Sequence, residues 1–399
     1  MNRVLFTRAA LLVPLLAAPA RAPDPVVELS GPAGSRTPFV SVSPRGTTLA
    51  SWLEPTGERR WALRVASRDG AKWSAPRTVM ESEQFFVNWA DFPSVTELAD
   101  GGWLAHWLEK TATKSYAYHV RTSISRDRGA TWSTPVSPHS DTSSTEHGFV
   151  STMARAGGGA DMVWLDGRGF DEANRTGSMR IYAGGVGPDG KSLPEAVLDP
   201  KTCECCQTAM ARTDAGLVVA YRDRSDAEIR DIAVVRQVNG RWTAPTIVHA
   251  DNWEFRACPV NGPQLAASGQ RVALAWYSAP GGKPAVQLTV SGDAGTTFGR
   301  PIRIDDGNPV GRVEVETLPD GSVVVFWLEI TGDAGEWRAK RVGQNGRVVE
   351  RWTVAATSRT RDAGFLRAAN GPSGMFVAWT APGERGGIRV ARQPVSADR

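Results

Sequence analysis

A tryptophan or tyrosine in a short apolar run returns along this chain at nearly constant spacing. "LASWLEP" around Trp52, "LAHWLEK" around Trp107, "DMVWLDG" around Trp164, "VVAYRDR" around Tyr221, "LAWYSAP" around Trp276, "VVFWLEI" around Trp327 and "FVAWTAP" around Trp379 stand 51 to 57 residues apart. A fixed period of that length marks a repeat architecture, in which one supersecondary unit is copied and stacked. Turn stretches such as "PRGT", "ADGG", "AGGG" and "PDGS" precede the runs, as expected of strands bounded by tight turns. Seven units of about 50 residues, each with room for four strands, predict an all-β chain folded as a β-propeller, because repetition around a ring leaves few exposed strand edges. Six blades, with one unit irregular, is the alternative count. The seventh unit, Ala363 to Pro394, has room for only three strands. "DPVVELSG" (Asp24 to Gly31) is the expected fourth, closing the ring by pairing the two ends of the chain.

A second signature follows several of the runs. "SRDGAKW" (Ser67 to Trp73), "SRDRGATW" (Ser125 to Trp132) and "SGDAGTTF" (Ser291 to Phe298) read S-x-D-x-G-x-T-W/F, with a looser "VNGRWTAP" at Val238 to Pro245. Ser and Asp side chains can bond the turn backbone, the glycine supplies a left-handed position, and the aromatic fills the gap between sheets. A hairpin joining the third and fourth strands of a blade is expected at each. These stretches resemble the Asp-box, or BNR repeat, of sialidase-like propellers, and the resemblance implies that fold for the whole mature chain.

The first residues, "MNRVLFTRAALLVPLLAAPARA", combine Arg3 and Arg8, an apolar stretch to Leu16 and the small-x-small site Ala20-Arg21-Ala22. They read as a signal peptide over 1–22, cleaved after Ala22, which leaves one domain over 23–399 in the periplasm or outside the cell. The apolar run is too short to span a bilayer and is interrupted by Pro14. Once Arg3, Arg8 and Arg21 leave with the leader, the net charge of +4 falls to +1. A nearly balanced chain without a Lys/Arg run argues against nucleic acid or an anionic membrane as partner. A soluble monomer is expected.

Strand alternation sorts the chemistry by face. The hairpins of the S-x-D-x-G pattern share one end of the ring; the links between blades and the turns after second strands share the other. On that link face fall Arg36, Trp89, Asp91, His147, the cysteines, Arg256, Asn261, Arg312 and Glu314 from the links, with Glu54, Glu109, Asp166, Tyr221, Arg222, Asp223 and Glu329 from the strand ends. A rim of carboxylates and arginines is a concave polar site of the kind ligands use. The same acids also fit an architectural reading, each bonding a neighbouring loop. "AYRDRSDAEIRDI" (Ala220 to Ile232) breaks the pattern and adds Glu228, Arg230 and Asp231.

Three of the four cysteines, Cys203, Cys205 and Cys206, lie on the link into blade four, and Cys258 lies on the matching link into blade five. In an oxidising compartment one of the three is expected to pair with Cys258. The remaining thiols admit a second bridge. Four sulfurs with His147 one blade away also suit copper or zinc, and a reactive thiol is the third option. No cofactor is required by the fold.

"SRTPFVSVSPRGTTLASWLEP" resembles the R-I-P segment and following strand of exo-α-sialidases. This implies a glycosidase holding a sugar carboxylate through arginines, with Arg36 matching the R-I-P arginine and Arg256 and Arg312 as further candidates, joined by Arg222 and Asn261. Tyr221 primed by Glu228 would be the nucleophile, and Asp223 or Glu54 the acid/base. The pattern departs from the family: no tyrosine follows Tyr277, and "EPTGERR" replaces the loop that bears the family aspartate. The expected ligand is an anionic, sialic-acid-type glycan or another small anion; the alternative is a non-catalytic envelope propeller holding copper or zinc at its cysteines.

Overall fold

The computed structural model describes residues 20–21, 25–171, 174, 176–383, 386–393 and 395 and folds them into seven antiparallel blades in a ring. Apart from Ala20 and Arg21, the leader expected over 1–22 lies outside the described residues. Blade one comprises Arg36–Val42, Thr48–Pro55, Trp61–Asp69 and Arg77–Ser82. Blade two holds Ser94–Glu97, Trp103–Lys110 and Tyr118–Ser125, with Val136 exchanging backbone bonds with Thr122 at its outer edge. Blade three is His147–Ala154, Ala160–Asp166, Arg180–Val186 and Ala196–Asp199. Blade four is Ala209–Thr213, Gly216–Arg222, Ile232–Val238 and Thr246–His249. Blade five is Gln264–Ser268, Arg271–Ser278, Ala285–Ser291 and Ile302–Arg303. Blade six is Pro309–Thr317, Val323–Thr331, Ala334–Val342 and Val348–Thr357. Blade seven is Arg367–Gly371, Gly374–Thr380, Ile388–Arg392 and, as expected, the early strand Val26–Ser30, which pairs Val27 with Ala391 and Leu29 with Val390. Among the described residues no helix is long and apolar enough to cross a membrane.

The recurring W-x-acid triplet has a local cause. Residues two apart on a strand share a face, so the acid meets the indole of its own tryptophan. Trp164 Nε1 donates to Asp166 at 2.9 Å and Trp327 Nε1 to Glu329 at 2.6 Å; Trp52 Nε1 reaches Glu54 at 3.3 Å. The rings themselves are buried between blades, and each such bond satisfies a donor that would otherwise be stranded in the core.

On the opposite face, the hairpins form as the sequence predicts. Ser125 Oγ donates to Asp127 and accepts the Gly129 N–H at 2.7 Å, while Asp127 also accepts the N–H and hydroxyl of Thr131. Ser291, Asp293, Gly295 and Thr297 repeat these bonds. In these two copies the serine, aspartate and threonine of the motif are all used in the turn.

The innermost strands enclose a central channel of about 650 Å³. Glu314, buried in its wall, lies 3.1 Å from Arg367 Nε. Burial pushes Glu314 up to about 7; burial and then the Glu314 charge push Glu316 up to about 8. A carboxyl group whose folded pKa is raised binds more protons folded than unfolded, so its contribution favours the fold at acid pH and is lost as pH rises from about 4.5 through 8. Glu316→Gln is therefore expected to flatten the fall in unfolding free energy over that window, removing a slope of up to about 1.4 kcal/mol per pH unit, as read by denaturant titrations at stepped pH.

Candidate functional site

On the link face, neighbouring blades are tied by side chains that reach forward to the head of the next blade. Asp91 Oδ1 accepts the Phe149 N–H at 2.8 Å, Gln207 Oε1 the Gly262 N–H at 3.0 Å, and Asn261 Oδ1 the Arg312 N–H at 2.6 Å. Phe149 (φ 53°) and Arg312 (φ 52°) sit in the left-handed region at these heads, as do Thr37 (φ 49°) and Val260 (φ 47°). Non-glycine residues there carry strain that surrounding bonds must hold. Three contacts are close enough to require glycine: a Cβ on Gly148 would lie 2.0 Å from Asp91 Oδ2, one on Gly262 2.0 Å from the Gln207 carbonyl oxygen, and one on Gly311 2.5 Å from Asn261 Oδ1. Gln207 also spans the channel mouth, its Nε2 donating to the Ala90 carbonyl at 2.8 Å.

Between blades two and three the face gathers three of the chain's five histidines. His139 and His147 stack with ring centroids 4.1 Å apart, and His119 stands edge-on to both at 4.9 Å. His147 Nδ1 faces the carbonyls of Tyr118 and Thr145 at 3.3 and 3.2 Å, and His139 Nδ1 faces the Asp141 carbonyl at 3.0 Å. Two carbonyl neighbours assign a proton to Nδ1 of His147. Both Nε2 atoms are buried without a hydrogen bond. Burial pushes His139 down to about 3, so that ring is neutral near pH 7, and burial also lowers His147 against the pull of Asp166 and Asp141.

Carboxylates and cations surround this trio. His147 Nε2 lies 3.0 Å from Asp141 and 3.6 Å from Asp166. Burial pushes Asp141 up, but the Ser143 hydroxyl and N–H outweigh it and hold the group at about 2. Asp166 is gripped by Arg168, whose Nε and terminal nitrogen donate at 2.8 and 2.7 Å; the same guanidinium pairs with Glu195 and lies 4.3 Å from the Tyr182 ring centre. Behind them, Tyr118 Oη donates to Glu146 at 2.6 Å and approaches Asp91 at 3.3 Å. Burial pushes Glu146 up to about 7 and Asp91 well above its ordinary range. Groups shifted this far by packing around one rim are what acid–base work requires. Asp141, His147 and Asp166 also stand close enough together to serve as a metal-ligand trio, although Arg168 and Trp164 already occupy Asp166.

The sulfur cluster lies on the links into blades four and five. Cys205 and Cys258 form a disulfide, while Cys203 and Cys206 are buried thiols. The pairing removes two sulfurs from the four considered for copper or zinc, and His147 sits with Asp141 and Asp166 instead. Arg222, 1% exposed, donates to the carbonyls of Asn261, Arg230 and Tyr277 beside the thiols.

The other residues nominated from sequence disperse. Tyr221 Oη donates to Asp199 at 2.6 Å, and burial with that neighbour raises its pKa well above the ordinary value. Asp223, pushed up to about 6 by burial, also faces Asp199. Glu228 is ion-paired with Arg224 and Arg230 on the same hairpin, whereas Glu54 bonds Trp52 and Arg64 on blade one. Arg312 donates to the carbonyls of Thr360 and Gly364 and lies 4.6 Å from the Trp89 ring centre; burial lowers it to about 10, so it stays charged. Arg256 is exposed and pairs with Glu254, and exposed Arg36 lies 5.2 Å from the Trp61 ring centre. Arg36, Arg256 and Arg312 share no partner among the described residues. The residues that sequence reasoning passed over are His119, His139, Asp141, Arg168 and Tyr182; the signal available was three of five histidines within 29 positions.

Solved structures extend over nearly the whole chain. A protein of unknown function from Dyadobacter fermentans aligns with a TM-score of 0.54 at 15% identity, covering 94% of this chain and 99% of that one. An ulvan lyase described as a new family of polysaccharide lyase aligns with a TM-score of 0.59 at 10% identity, covering 92% and 96%, and a second structure of it, bound to -[GlcA(1-4)Rha3S]-, gives 0.56. The likeness is one of fold. The NanB sialidase from Streptococcus pneumoniae matches at a TM-score of 0.47 and 10% identity over 86% of this chain and 82% of its own. No family model and no curated protein matches the sequence.

Gly148→Ala is expected to be among the most damaging single-methyl additions on this face, costing on the order of 3 kcal/mol, because the new carbon meets a buried carboxylate bonded to the next residue. Equilibrium unfolding measures it. A loss below about 0.5 kcal/mol would contradict the tie between blades two and three.

Proposed function

We propose that the link face binds an acidic glycan and processes it, with the histidine rim between blades two and three supplying acid–base groups. The observation that carries this reading is the pairing of cations with ring faces on that side: Arg36 over Trp61, and exposed Arg361 5.6 Å from the Trp89 ring centre. A carboxylated sugar presents an apolar face and an anion together, which an aromatic ring with an adjacent guanidinium matches. Exposed Tyr116, edge-on to Phe86 at 6.4 Å, extends the aromatic surface towards the histidines. His119 is half-buried; its Nε2–H donates to the Ser143 carbonyl at 2.8 Å, which leaves Nδ1 as an acceptor able to take a proton. The polysaccharide lyase with the same fold supports an acidic polysaccharide as substrate class, since its bound ligand is -[GlcA(1-4)Rha3S]-. The disulfide fits the exported location expected from the leader.

The sialic-acid form of the reading gives the chemistry to Tyr221, Glu228, Asp223 and Glu54 and the carboxylate to Arg36, Arg222, Arg256, Arg312 and Asn261. What favours it is Asp223, pushed up to about 6 chiefly by burial and also by the charge of Asp199, the carboxylate that Tyr221 bonds. It requires Tyr221 to leave Asp199.

Thermal stability and product formation with uronate-bearing, sialylated and neutral glycans test both forms. An acidic glycan at a hundredfold its Kd should add about 2.7 kcal/mol of stability. Arg36→Ala should weaken binding about tenfold, and His119→Ala should stop turnover while binding persists. Unsaturated uronide product marks elimination; sialoside cleavage lost in Tyr221→Phe marks the sialidase form. Equal binding of neutral and acidic glycans, or no response to any, overturns the proposal.

A further inference from the structure

We propose that Cys203 and Cys206 close a second disulfide beside Cys205–Cys258, so that the link into blade four is oxidised at all three of its cysteines. The thiols are 1% and 2% exposed and their sulfurs stand 2.6 Å apart. Two thiolates sharing one zinc at about 2.3 Å each would stand about 3.8 Å apart at a tetrahedral angle, so the spacing is too short for a shared metal and approaches bonding distance. The positions also form a C-x-x-C pair, the local spacing of redox dithiols. Metal ligation would need further donors, and the nearest sulfur, Cys205 Sγ at 4.0 Å from Cys203, is committed to Cys258.

The surroundings favour the chemistry. The Cys203 thiol, then the Arg222 guanidinium and the Asn261 N–H, hold Cys206 down to about 7 against burial, while burial keeps Cys203 protonated. One thiolate and one thiol in contact are the reactants for disulfide exchange. The oxidant is an external protein or small-molecule disulfide. Cys206 thiolate attacks one of its sulfurs, forming a mixed disulfide and releasing one oxidant thiolate. Cys203 then gives up its proton and attacks the Cys206 sulfur, releasing the second. Two cysteine thiols are oxidised to one disulfide, and the oxidant disulfide is reduced to two thiols. Both sulfurs are buried in the folded chain, so the oxidant meets Cys206 late in folding, when the link lies beside Arg222 and Asn261 but has not yet closed over the sulfurs. Its structural effect falls on Gln207, the next residue, which ties blades two and five across the channel mouth.

Full-length protein made in an oxidising compartment is denatured with an alkylating reagent and no reductant, then weighed intact. The expected mass is four hydrogens below the fully reduced chain with no alkyl group added. Two alkyl groups, with or without a metal retained by the native protein, would overturn the proposal. Cys203→Ser should acquire one alkyl group, on Cys206, with Cys205–Cys258 intact; alkylation at Cys205 would show the pairing to be different. Should that variant fail to fold, the mass of the unmodified protein still decides between two bridges and one.

Discussion

The ring depends on one recurring hydrogen bond, in which a side chain on each of several links accepts the backbone N–H at the head of the next blade. Asp91, Gln207 and Asn261 make it in three places. Phe149 and Arg312 take left-handed backbone at the receiving end, and Gly148 and Gly311 let the links approach. Such strain persists only where neighbouring contacts over-determine it. The bond fixes how far one blade turns relative to the next, and so which side chains of adjacent blades can meet.

The histidine rim is a product of that fixed turn. Tyr118 is its pivot: its hydroxyl bonds Glu146 and Asp91, and its carbonyl faces His147. The proton assignment of His147 thus follows from the backbone of blade two, while its neighbour Asp166 is anchored by the tryptophan of blade three and by Arg168. The opposite face shows the contrast. There the serine, aspartate and threonine of the boxes at Ser125 and Ser291 spend their bonds inside one turn.

Sequence period alone is sufficient for the seven blades, because the strand-two aromatics are buried by blade packing and recur with it. The missing strand of blade seven was legible as a deficit that Val26–Ser30 could fill. The site was legible only by residue type. Sequence assigned Arg222 and Arg312 to a ligand carboxylate, but bulges and links leave carbonyls that take their donors, and nothing in a linear pattern reveals an unmet carbonyl. Cys258 had three candidate partners within four positions, and only the path of the link selects Cys205. His119 and His139 were missed because one lies in a third strand and the other in a link, which a blade-by-blade reading never compares.

What unites the face is a division of labour between buried and open cations. All four lie over rings, but Arg222 and Arg312 are buried and donate to backbone carbonyls, whereas Arg36 and Arg361 remain exposed. Hydrogen exchange with and without a glucuronate-containing oligosaccharide tests the account most directly. It predicts slowed exchange in the links around 86–92, 139–147 and 359–366 and unchanged exchange in the box turns around 125–131 and 291–297. Slowing confined to the box turns, or spread evenly over both faces, would contradict it.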